Sequence, residues 1–226
     1  MKTSHILLII ITIVTLTGMV ATDVLLTRQY KKVDWRNPYQ NFERRALPPV
    51  RHLVIDAAPI AEVIVEKSDS PQALLLPAMA NSYQSRQQSD TLFISFKMNY
   101  KGSPRNPRNN SYELSAGLVV RLPAIESLKI TNGCLTVRRV TTGPLAISMW
   151  NSRLRLYNLA VSDTVDLIEN QNSYAILGND RYPSLRAIVK DSSGIQLNNT
   201  QVDTFTKDVS PKAEVQLLGQ ALKWLK

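Results

Sequence analysis

One cysteine, Cys134, and two histidines, His5 and His52, are all that the 226 residues hold of those two side chains. A single cysteine excludes an intramolecular disulfide, and the three residues together are too few for a zinc site built from Cys and His. No catalytic, cofactor-binding or metal-ligating residue is therefore assigned, and no cofactor is expected. His52, the only histidine outside the N-terminal apolar segment, has no G-x-S-x-G motif to serve, so a hydrolytic triad has little support. Cys134, in NGCLTV beside a strand-like run, reads as a small buried apolar residue rather than a nucleophile. Acidic residues are also few, 18 against 27 Lys plus Arg, which leaves a formal charge of +9. Such an excess attracts anionic glycan, lipid headgroups or nucleic acid. Here the basic residues are scattered and no recognition helix stands among them, which argues against nucleic acid.

What the chain does have is an apolar start. Residues 6–26, ILLIIITIVTLTGMVATDVLL, are interrupted only by Thr, Gly18 and Asp23. As a helix they rise about 31 Å, the thickness of bilayer hydrocarbon. Residues 1–27 are thus expected to be a membrane anchor or signal segment, with the membrane as a partner through 6–26. The small residue Ala21 has Met19 two places before it, a poor cleavage site, which favours an uncleaved anchor. No cysteine follows to accept a lipid. Lys2 precedes the run while Arg28, Lys31, Lys32 and Arg36 follow it, and that asymmetry by itself would hold the body inside the cytoplasm. Residues 28–49 mix charge, aromatics and Pro48-Pro49 without a period and read as a basic tether, with Tyr30 and Trp35 suited to the interface.

From Val50 the period becomes two. LVI and AEVIVEK, with Pro59 between them, read as strands joined by a turn, and TLFISFKM as another. PQALLLPAMANSYQSRQQ fits either a short Pro-bounded helix or a strand followed by a loop. KGSPRNPRNNSY, residues 101–112, reads as a protruding basic loop. Beyond Leu118 the chain repeats itself: Leu135, Leu154, Ala175, Ile195 and Val215 recur at 19 to 21 residues, with Val137, Leu156, Leu177, Leu197 and Leu217 two places later. Leu128, Leu145, Val165, Leu185 and Phe205 form a second apolar series. Gly133, Ser152, Ser173, Ser193 and Ala213 mark a tight corner, and Asn158, Asn179, Asn199 and Gly219 a turn. A unit of two short strands cannot bury its face alone, but a stack of them can. The expected fold is all-β, a single-stranded β-solenoid with rungs of about twenty residues over 50–226, behind an N-terminal transmembrane helix.

The order VRHLVIDAAPIAEVIVEKSD, TLFISF, LVVRLPAIESLKITNG and then the repeats resembles the bacterial "putative auto-transporter adhesin, head GIN domain" family over roughly Val50 to Gly219. The resemblance implies a stacked β fold, export or membrane anchoring with the body outside the cytoplasm, and no established catalysis. Of the glycine-rich corners of that family only Gly133 and Gly194 keep glycine here, with Asn-Ser at 151–152 and 172–173.

Together these readings point to a non-enzymatic, membrane-anchored module in the periplasm or at the cell surface. It would bind an acidic glycan or an envelope protein, with Arg138, Arg139, Arg153 and Arg155 as the densest basic cluster. Two other readings are weighed beside it. One is an enzyme acting on polysaccharide with Asp163, Asp166 and Glu169 as its acids, and the other is a regulatory envelope-sensing partner. At a spacing of three, Asp163 and Asp166 would face opposite ways on a strand, which counts against the enzyme.

Overall fold

The computed structural model describes residues 2–57, 62–97 and 116–225, in two units, Met1–Asn41 and Phe42–Lys226. The expected turn at Pro59 and the expected loop at 101–112 lie outside the described residues.

The first unit is built on helix α1 (Lys2–Tyr30), whose span His5–Tyr30 has a mean hydropathy of 2.2 and is long and apolar enough to cross a membrane. Its threonines do not spoil it for lipid. Thr12, Thr17 and Thr22 each donate their hydroxyl to the carbonyl four residues earlier at 2.8 Å, and Thr15 makes the same contact. The polar atoms are thereby satisfied inside the helix. Beyond it the rings of Tyr30 and Trp35 lie 5.3 Å apart.

The second unit is β structure. It begins with β1 (Glu43–Ala46), β2 (His52–Asp56), β3 (Glu62–Lys67), β4 (Gln72–Leu75), β5 (Tyr83–Gln88), β6 (Thr91–Phe96) and β7 (Ala116–Leu122). There follow β8 (Ser127–Thr131), β9 (Cys134–Arg138), β10 (Thr141–Thr142), β11 (Leu145–Trp150), β12 (Arg153–Tyr157) and β13 (Ala160–Val161). The last are β14 (Thr164–Asn170), β15 (Tyr174–Leu177), β16 (Arg181–Val189), β17 (Gly194–Asn198), β18 (Gln201–Val209) and β19 (Glu214–Leu218). The segment that admitted two readings holds both: β4, then a 3-10 turn at Pro77–Met79, then β5.

Two large sheets result, a nine-stranded one in the order β1-β4-β7-β3-β9-β12-β15-β17-β19 and an eight-stranded one in the order β18-β16-β14-β11-β8-β2-β6-β5. This corrects the expected single-stranded β-solenoid. A chain coiling steadily in one direction lays its strands side by side in sequence order and all parallel. Here β3 pairs with both β7 and β9, β2 sits between β6 and β8, and β1-β4, β4-β7 and β5-β6 are antiparallel. The body is a pair of mixed, twisted sheets. The twenty-residue spacing describes pairing within β8–β19 and not the path of the whole domain.

Within that limit the apolar columns are real. Leu135 pairs with Leu154, Leu154 with Ala175, Ala175 with Ile195 and Ile195 with Val215, while Val137, Leu156, Leu177, Leu197 and Leu217 stand in register two places on. One residue of the second series is displaced: Leu145, Val165, Leu185 and Phe205 align, but Leu128 pairs with Ile147. The unit containing Leu128 is shorter, and a shift of two keeps the same face inward, so the core tolerates it.

The corner column has a second reason beyond size. Ser152, Ser173 and Ser193 are all 0% exposed, and their hydroxyls accept the backbone N–H of Gly133, Ser152 and Ser173 respectively at 3.1–3.3 Å. Each serine thus satisfies the turn before it. At Gly133 itself a Cβ would come within 2.5 Å of the Ala57 Cβ, so no side chain fits. Asn158, Asn199 and Gly219 adopt left-handed backbone at φ 57, 50 and 59°, and Arg139 does too at 55°, whereas Asn179 does not. After β19 a 3-10 turn, Gly219–Leu225, lies against the last strands: Ala221 is fully buried and Trp224 meets Phe205 edge to face at 5.9 Å.

Candidate binding surfaces

Alternation places Arg138 of β9 and Arg153 and Arg155 of β12 on the outer face of the nine-stranded sheet, as neighbours. They are not equivalent. Arg138 donates through Nε to Glu66 Oε2 at 3.2 Å and through Nη1 to Tyr157 Oη at 3.3 Å. The other oxygen of Glu66 is held by Arg121, from Nε at 2.9 Å and Nη2 at 2.8 Å. Glu66, 5% exposed, is clamped between two guanidinium groups. Arg153 is 6% exposed, and burial first, then the charge of Arg155, holds its guanidinium below the ordinary value while Cys134, Glu62 and Tyr174 oppose this. Arg155 is half-buried beside Thr136 and Ile176. Arg139 is exposed, past the strand end. Sequence reasoning missed Glu66 and Arg121. The alternation of AEVIVEK can suggest that Glu66 faces out, but only the strand order reveals its partners.

Cys134 lies on this same outer face, half-buried, and not inside as expected. The acids Asp163, Asp166 and Glu169 do not converge. Asp166 points outward toward Arg186 at 4.0 Å, whereas Glu169 is 0% exposed in register with Met149 and Val189. The fold does bring His52 Nδ1 to within 2.8 Å of the Ser127 hydroxyl, 75 residues away, on the outer face of the second sheet. A nucleophile and a base need an oxyanion site and an orienting group as well, and this pair lies outside the groove described next. Among the described residues no group of three or more His, Cys, Asp or Glu is placed to hold a metal.

A groove of about 750 Å³ lies at the end of the body where β1 of one sheet approaches β5 and β6 of the other. Two arginines enter it, one from each sheet. Arg45 lies 5.4 Å from the ring centre of Tyr83 and donates Nη2 to the Ala80 carbonyl at 3.1 Å, with Glu43 at 3.7 Å. Arg86 lies 4.7 Å over Phe93 and makes no hydrogen bond or ion pair with another described residue. Tyr83 is 7% exposed and packs edge to face on Phe96 at 5.9 Å, toward the core. Burial pushes this phenol up, and a hydrogen bond with Ser85 and the charge of Arg45 pull the other way. Asp56, Ser85 and Ser95 add oxygen atoms to the lining, and Leu47 and Val54 apolar surface. None of this was legible beforehand, because Arg45 and Arg86 come from polar segments with no motif.

No family model and no curated protein matches the chain. Solved structures do align with it. A "putative adhesin" of Bacteroides fragilis shares 12% identity at a TM-score of 0.48, covering 78% of this chain and 97% of its own. A "putative cell adhesion protein" of Clostridium sporogenes shares 8% at 0.30, covering 78% and 98%. A "putative lipid binding protein" of Parabacteroides distasonis shares 11% at 0.30, covering 78% and 97%.

Proposed function

We propose that this chain is a non-enzymatic binding module of the head GIN adhesin type, anchored in a membrane by α1 and holding its β body in the periplasm or at the cell surface. Adhesion, through an acidic envelope glycan or an envelope protein, is the role the features support best. The observation that carries the reading is α1 itself, an apolar helix of membrane-spanning length whose residues 5–30 are exposed, joined to a β body. An apolar surface of that size needs a nonpolar solvent. Within the arginine cluster Arg139 is the exposed member, Arg138 and Arg155 being half-buried and Arg153 buried. Lys2 on the short side and four basic residues on the long side set the charge rule against this orientation, so the location is the point to test. Protease is added to intact cells, spheroplasts and lysed cells carrying a C-terminally tagged chain. Digestion before lysis supports the reading. Protection until lysis, with cleavage afterwards, places the body in the cytoplasm and removes the adhesion role with it.

A further inference from the structure

We propose that the outer face of the eight-stranded sheet around Trp150 is a platform for an extended acidic glycan, one sugar ring of which stacks on the indole while Lys129 takes a carboxylate. This rests on the binding-module reading and gives it a site apart from both the arginine cluster and the groove.

Three strands build the platform. β8, β11 and β14 are parallel neighbours whose burial alternates without a break, so Thr131, Trp150 and Asn170 stand in one row on the outer face and Lys129, Ser148 and Ile168 in the next. All six side chains are thus open to one ligand on one side of the sheet. The rows run across strands about 4.8 Å apart, close to the length of one sugar unit, so successive units of a glycan laid along a row meet equivalent positions on successive strands.

The chemistry of the rows suits a sugar. Trp150 is 44% exposed and Ile168, diagonal to it, 38%. Apolar surface of this kind gains from being covered, and the C–H face of a pyranose covers an indole while its rim still carries hydroxyls. Around the ring stand the Thr131 and Ser148 hydroxyls and the Asn170 amide, which supply donors and acceptors together. None of these three side chains bonds another described residue. A protein partner would favour an apolar surround, whereas only Ile168 of the five neighbours is apolar. Lys129 sets the sign of charge: it is exposed, it is the one cation among the outward positions of β8, β11 and β14, and it makes no ion pair with another described residue. Asp166, the one acid among those positions, lies toward Arg186 at 4.0 Å. Asp56, in register with Thr131 on β2, bounds the row at that end against a further carboxylate.

Titration calorimetry and tryptophan emission of the full-length chain, in a detergent without a sugar headgroup, test this with β-linked tetramannuronate and with cellotetraose as its uncharged counterpart. Saturable binding of tetramannuronate is expected, with a change in emission that Trp150→Ala removes. Trp150→Ala weakens binding roughly 10- to 100-fold at an unchanged melting midpoint, which separates ligand contact from folding. Lys129→Gln weakens tetramannuronate about 2- to 5-fold and flattens its salt dependence, while leaving cellotetraose unchanged. No saturable binding of either sugar, or equal binding by Trp150→Ala and wild type, overturns the proposal. Cellotetraose bound as tightly as tetramannuronate, with no effect of Lys129→Gln, overturns the acidic assignment. Self-association that depends on Trp150, without glycan binding, overturns the platform and makes this face an interface between copies. Tetramannuronate binding lost in Arg139→Gln but kept in Trp150→Ala moves the ligand to the arginine cluster and overturns it equally. None of these outcomes alters the protease result, so a failure here is distinguishable from a failure of the membrane-module reading.

Discussion

Replacing Glu66 by Gln probes a buried charged network that ties the start of the body to its repeated part. The carboxylate joins β7 to β9 through β3, accepting bonds of 2.8 and 2.9 Å from Arg121 and 3.2 Å from Arg138. Glutamine has nearly the same shape but one acceptor oxygen, and its NH2 group would face a guanidinium donor to donor. One side of the clamp is lost while the other survives as a weaker neutral bond. Hydrogen bonds to charged groups contribute about 1.5–3 kcal/mol each. The side chains of Arg121 and Arg138 remain 29% and 18% exposed, so water resolvates whichever is released and holds the cost near the lower end. A loss of about 1.5–2 kcal/mol follows, which for a body of this size is a fall of roughly 3–8 °C in melting temperature. Circular dichroism melts of the full-length chain in detergent measure it. Glu66 is 5% exposed, so the difference should persist in molar salt, where a surface pair would be screened away. A variant melting within about 1 °C of wild type, or a difference that vanishes with salt, would show that the three contacts do not act as a buried clamp.

Leu156→Asp sets a carboxylate in an inner column between Val137 and Leu177 at a site 1% exposed, with no partner in that column. An unpaired buried charge exceeds what a domain can absorb, so the cooperative melt should disappear, whereas Leu156→Ala costs about 2–5 kcal/mol. A wild-type melt for the Asp variant would defeat the assignment of the column to the core. Tyr182 is 0% exposed and donates to Asp180 at 3.3 Å, and burial first, then Asp180, holds its phenol well above the ordinary 10.0. The folded state thus favours the neutral phenol. Its contribution is intact below about pH 10 and is lost as the pH rises above that, at up to about 1.4 kcal/mol per pH unit for each such group. Urea midpoints of Tyr182→Phe should fall less steeply than wild type in this range, Tyr83 supplying the slope that remains. Identical slopes would mean that Tyr182 ionises freely in the folded protein.

The sequence by itself determined the parts governed by local periodicity. Residues 6–26, with Asp23 as their one charge, dictate a helix, and it is long and apolar enough to cross a membrane. Alternation assigned inward faces correctly from Val137 to Leu217, and the serine column announced corners that admit no larger side chain. The same repeat suggested a single continuous coil. That step failed because strand order is set by contacts far apart in the chain: β3 lies between β7 and β9, and the antiparallel β1, β4 and β5 form the other end. No periodicity of 62–67 encodes a partner at 134–138. Only the tertiary structure decided that Arg138 is clamped, since Glu66 reaches it from 72 residues away. It alone also assembled the groove, by bringing Arg45 and Arg86 from opposite sheets onto neighbouring aromatic rings. Local pattern says which way a side chain faces. What it faces depends on the pairing of distant strands.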